Sequence, residues 1–82
     1  MPYFHFVWTE EIVAHLAEHD ISADDFEEVV MNPVYAGKSR SSGNPAAWGY
    51  TGDGRYIIAV YQKIDFGTVL PITAYEVPEP RN

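Results

Sequence analysis

Residues 48–61 constrain this chain more than any other stretch: two β-rich runs flank Gly52-Asp53-Gly54. Asp-Gly between apolar runs signals a hairpin, because a two-residue type I′ turn needs positive φ at both central residues. Before the hairpin the sequence patterns as one strand and two helices, and after it as one more strand. The order predicts an α+β domain, β-α-α-β-β-β, in which an antiparallel helical hairpin packs on a three- to four-stranded antiparallel sheet.

At 82 residues, the chain has room for one domain with one layer of helix on one of sheet. Residues 1 to 77 are assigned to that domain and 78 to 82 to a flexible tail. The apolar share of 46% is high enough to fold without a metal or disulfide staple, and the absence of cysteine excludes a thiolate site. No basic leader with an apolar run is present, and nothing approaches the roughly 20 residues of a membrane span. A cytoplasmic protein with no membrane partner is the expectation. Net charge is −7, with eight carboxylates and no Lys or Arg in residues 1 to 34. Such a helical surface repels phosphate, so nucleic acid is expected only on the sheet side.

Residues 3–8 alternate, placing Phe4, Phe6 and Trp8 on one side of a first strand. Thr9 caps a helix with Glu10 and Glu11 in its first turn and Ile12, Val13 and Leu16 as its apolar stripe. This helix is expected to end near His19 or Asp20. Ser22 and Asp25 then form a capping box, with Ile21 stapled on Phe26, and Asn32-Pro33 ends the second helix. Residues 35–40 suggest a short strand and residues 41–45 a loop. Pro71 inside the last strand implies an edge or a bulge there.

Pairing Gln62 with Thr68 across a five-residue loop puts Tyr56, Ile58 and Val60 with Leu70, Ile72 and Ala74 on the expected core face. The opposite face then carries Arg55, Ile57, Ala59, Tyr61, Val69, Thr73 and Tyr75, and a two-residue Asp53-Gly54 turn adds Trp48 and Tyr50. No helix remains to cover that aromatic face, so it is expected to bind a ligand or to form a homodimer.

Two constellations could carry chemistry. His15-Leu-Ala-Glu18-His19 fits the zinc pattern H-x-x-E-H, but a zinc peptidase needs a third ligand and a cleft, so no metal or cofactor is assigned. The open sheet face is the second. Metal-free RNA cleavage needs a base for the 2′-hydroxyl, an acid for the leaving oxygen and a cation for the charge on phosphorus. Arg55 is the candidate cation, with Arg40 or Lys38 beside it. His5, Tyr61, Tyr75 and Glu76 are the candidate proton carriers, and Trp48, Tyr50 and Tyr61 the candidate stacking rings.

Several landmarks resemble BrnT-type toxins. Glu18-His19-Asp20-Ile21-Ser22 followed by an acidic helix and Asn32-Pro33 is similar to that family's Lys-His-Gly-Val-Ser and Asp-Pro landmarks. Residues 49–55, the run 57–61 and Ile72-Thr73-Ala74 look like its Gly-Arg hairpin and closing Ile-Ser-Ala-Arg strand. The resemblance implies a RelE-like fold and a metal-independent endoribonuclease acting on mRNA. It further implies a type II toxin–antitoxin system in which a cognate antitoxin neutralises the enzyme. Arg55 matches the hairpin Arg, and His19 the His ending the first helix. The chain departs from the pattern at Tyr75, where the family has Arg, and at Glu18, where it has Lys; the helices that follow the family's last strand are missing. With the acidic charge, these departures support a second expectation, a non-catalytic protein-binding or dimerisation module on the same fold.

Overall fold

The computed structural model describes residues 5–40 and 42–79. Tyr3 and Phe4 of the first strand, Ser41 of the loop and residues 80–82 of the tail lie outside them. The fold is α+β, in the order β1 (His5–Phe6), α1 (Glu10–Ala17), α2 (Ala23–Met31), β2 (Tyr35–Lys38), β3 (Pro45–Tyr50), β4 (Tyr56–Asp65) and β5 (Thr68–Glu76). The five strands form one sheet in the order β1-β5-β4-β3-β2. The sheet is mixed rather than purely antiparallel, because β1 pairs in parallel with the start of β5.

Local chemistry sets the helix ends. Thr9 accepts a hydrogen bond from the Ile12 amide, and Glu10 and Glu11 lie at the positive end of the α1 dipole. The helix stops at Ala17, before the expected end, and Asp20 takes a left-handed φ of 60° as the chain turns back. Ser22 and Asp25 make the full reciprocal capping box of α2. Each helix makes its main contacts with the sheet: α1 on β5, α2 on β3 and β4. Leu16, Ile21, Phe26, Val29 and Val30 are buried there, with Phe6, Trp8 and Ile12 packed around them. Val13, expected in the α1 stripe, is exposed. The indole N–H of Trp8 donates to Glu27 Oε2 at 2.8 Å, tying the segment between β1 and α1 to α2.

The turn chemistry differs from the expected type I′. Asp53 does not adopt positive φ, whereas Gly54 does, at 88°. Gly54 N–H donates to the Thr51 carbonyl and Thr51 N–H to that of Arg55, so three residues, Gly52-Asp53-Gly54, span the turn. This is the type I turn plus left-handed glycine that favours a bulged hairpin. Its extra residue pairs Tyr50 with Tyr56 and Trp48 with Ile58. At the other end of β4, Asp65 pairs with Thr68 across Phe66-Gly67, and Gln62 pairs with Leu70 rather than Thr68.

These registers reverse the expected faces of β4 and of Ile72, whereas Trp48, Tyr50, Thr73 and Tyr75 keep the open side and Ala74 the helix side as expected, because the shifts at the two ends of β4 cancel. The helices cover Ala47, Ile57, Ala59, Tyr61 and Ala74. Ala46, Ile58 and Val60 lie on the other side, in a second small cluster with Trp48, Ile72 and Val77. The physical reason is that residues 56–60 are all buried, so the run lacks the alternation that marks a face. What does distinguish the sides is size. Ala47, Gly49, Ala59 and Ala74 let the helices approach closely, whereas Tyr35, Trp48, Tyr50 and Tyr56 stand on the opposite side. A bulge lies between the Val60 and Tyr61 pairings of β4 with β5, beside Pro71, as a proline in this strand requires.

Candidate functional site

The open face is paved by the residues that the observed register gathers. Tyr35 pairs with Trp48 across β2 and β3, with ring centroids 5.1 Å apart, and Tyr50 lies 5.0 Å from Tyr56. Gly37 makes room for the first pair: a Cβ there would sit 3.3 Å from the Tyr35 ring and 3.6 Å from that of Trp48. Two adjoining hollows lie in this paving. One, of about 450 Å³, is lined by Val34, Tyr35, Trp48, Tyr56, Val77 and Pro78. The other, of about 540 Å³, shares Trp48, Val77 and Pro78 and adds Ser39, Arg40, Ile58 and Tyr75.

Arg40, Trp48 and Tyr75 therefore meet at one hollow. Among the described residues Arg40 makes no ion pair, which leaves its guanidinium available to an anion. Tyr50 stands beside the first hollow. Its hydroxyl donates to Glu79 Oε1 at 3.0 Å, which raises the phenol pKa and holds the start of the tail against the sheet.

The remaining predicted residues lie elsewhere. Arg55 is separated from Trp48 and Tyr50 and turned toward α2: its Nε donates to Asp53 Oδ2 at 3.1 Å, and its Nη2 lies 3.4 Å from Asp25 Oδ2. Asp25 is the same carboxylate that closes the α2 capping box, so Arg55 clamps the hairpin tip to the helix start. Thr51 and Arg55 both donate to Asp53 and hold its carboxyl below the usual range, while Asp53 in turn raises the Arg55 pKa. Tyr61 packs on the helix side, where burial pushes its phenol up. His5 pairs with Thr68 at the far end of β5 from Tyr75, about 20 Å away at the rise of a strand.

Sequence reasoning missed Tyr35 and Tyr56 as parts of the face; Tyr35-x-Gly37, a ring two places before a glycine on a short strand, was the available signal for the first. No group of three or more His, Asp or Glu side chains that could hold a metal ion gathers among the described residues. Among them, no helix is long and apolar enough to cross a membrane.

Fold and face together define a class: an α+β domain whose helices seal one side of a sheet and whose aromatic other side is left accessible. Comparisons with family models, curated proteins and solved structures return no match.

Proposed function

We propose that the open sheet face binds and cleaves single-stranded RNA, as the metal-independent endoribonuclease of a toxin–antitoxin pair acting on mRNA. The observation that carries this reading is the meeting of Arg40, Trp48 and Tyr75 at one hollow. Each supplies a different requirement. An indole stacks a base for about 1–3 kcal/mol, independent of sequence. A free guanidinium matches a phosphate through paired N–H donors. A phenol hydroxyl can donate to the leaving 5′-oxygen. The working set is thus Arg40, Trp48 and Tyr75, with Arg55 as a structural clamp and a cognate antitoxin competing for the same face.

The test is cleavage of a long single-stranded RNA at low salt with EDTA present. Wild type and Arg55→Ala are expected to cleave, whereas Arg40→Ala and Tyr75→Phe lose activity by roughly 100-fold or more. Loss with Arg55→Ala and retention with Arg40→Ala would overturn the assignment.

One observation favours a second reading, a non-catalytic protein-binding module. The smaller hollow is lined by apolar and aromatic residues alone, on a chain of net charge −7. This reading predicts association that is insensitive to salt and lost on Trp48→Ala, while RNA binding weakens steeply as salt rises.

A further inference from the structure

We infer that the histidines of α1 belong to this same surface, with His19 accepting a proton opposite Tyr75 and His15 holding His19 in place. The inference rests on the RNA reading above.

Beyond Val69 the outer edge of β5 carries no strand among the described residues, and the end of α1 reaches that edge. His15 Nε2 lies 2.8 Å from Thr73 Oγ1. The His15 and His19 rings meet edge to face at 5.4 Å, and the His19 and Tyr75 centroids are 6.3 Å apart. Thr73 and Tyr75 pair with Val60 and Ile58, which places them at the open side of the sheet. A row of side chains therefore runs from α1, around the sheet edge, to the hollow that holds Arg40 and Trp48. The turn that presents His19 is itself fixed, since the His19 amide donates to the Leu16 carbonyl at 2.9 Å.

The two rings suit opposite proton roles. An imidazole nitrogen can accept a proton, and a phenol hydroxyl can donate one. In the step proposed, His19 takes the 2′-hydroxyl proton, the 2′-oxygen bonds to phosphorus, the bond from phosphorus to the 5′-oxygen breaks, and Tyr75 protonates that oxygen. The products are a 2′,3′-cyclic phosphate and a 5′-hydroxyl; His19 then gives its proton to solvent and Tyr75 regains one. The charged neighbours are Glu18 and Asp20 on the His19 turn and Glu76 beside Tyr75. His15, engaged with Thr73, is a positioning residue.

The test titrates uridine 3′-monophosphate into the protein while following the histidine imidazoles by NMR, alongside pH–rate profiles for RNA cleavage. Binding is expected to shift the His19 resonances and raise its proton affinity, and Arg40→Ala to abolish both effects. His19→Gln is expected to remove the acidic limb of the profile and about 100-fold of the rate. His15→Ala should keep that limb and the nucleotide affinity while slowing cleavage. Nucleotide binding that perturbs Trp48 but leaves His19 unmoved, or an unchanged profile in His19→Gln, would overturn the role of His19 while leaving the RNA reading intact. Failure of wild type to bind the nucleotide or to cleave RNA would overturn both.

Discussion

Gly49 offers the sharpest test of which side of the sheet the helices occupy. It lies in β3 beneath the end of α2. A Cβ added there would meet Val29 Cγ1 at 3.4 Å, the Asn32 carbonyl oxygen at 3.6 Å and Pro33 Cα at 3.6 Å. Alanine enters at ordinary contact distance and restricts the unfolded chain, so Gly49→Ala should be neutral or stabilising by about 0.5 kcal/mol. Valine adds two methyl groups where two of the three neighbours are backbone atoms that cannot rotate away. Overpacking of this kind costs about 1–3 kcal/mol. At about 4–8 °C per kcal/mol for a domain of this size, Gly49→Val should melt on the order of 10 °C below wild type. Gly37→Val is the control from the opposite face. Its nearest neighbour is the exposed Tyr35 ring, which can swing outward, so the cost should stay below about 1 kcal/mol. Thermal unfolding followed by circular dichroism reads all three variants. If Gly37→Val melts low and Gly49→Val melts with wild type, the helices lie on the other side and the open face is misassigned.

Further expectations concern caps and charges. Ser22→Ala removes the side-chain half of the α2 capping box and should cost about 1 kcal/mol by urea denaturation, with Ser22→Asn recovering most of it. The Asp53 carboxyl is held below its ordinary value of 3.8, so its contribution is present above that pH and disappears as pH falls through the lower folded-state value. Asp53→Asn should therefore flatten the acid limb of the stability curve below pH 3.8 and leave its alkaline side unchanged. Tyr61 titrates above its ordinary 10.0 because it is partly buried, so its contribution is complete below that pH and lost as pH rises through the higher folded value; Tyr61→Phe should remove this alkaline loss. Arg55→Ala should lower the melting temperature by releasing the hairpin tip from α2, without altering RNA cleavage by the folded protein.

The elements were legible where local chemistry decides them. Thr9, the Ser22 and Asp25 capping box, the Asn32-Pro33 stop and the strand character of residues 56–61 all act within a few residues of themselves. The pairing of β1 with β5 was not, since nothing near His5 states which edge it will join. The faces of β4 failed for a related reason. A run buried on both sides has no alternation to read, and a single extra residue in the Gly52-Asp53-Gly54 turn exchanges the two sides. That residue is what separates Arg55 and Tyr61 from Trp48, while the shifted pairing of β4 with β5 keeps Trp48 on the side of Tyr75. The small residues Ala47, Gly49, Ala59 and Ala74 held the answer, because a helix can lie close only over short side chains.

The seam between β1 and β5 also shapes how the fold is reached. The β3, β4 and β5 strands can zip from their turns as neighbours in sequence, at low entropic cost. The parallel pairing of His5 with Thr68 instead closes a loop of about three quarters of the chain, and loop closure must precede the contacts that reward it. During synthesis Phe6 and Trp8 emerge well before the strand they pack beside. The slow step of folding should therefore be the docking of this first segment, and substitutions in β1 should retard folding more than equally destabilising ones in the hairpins if that seam is closed in the transition state.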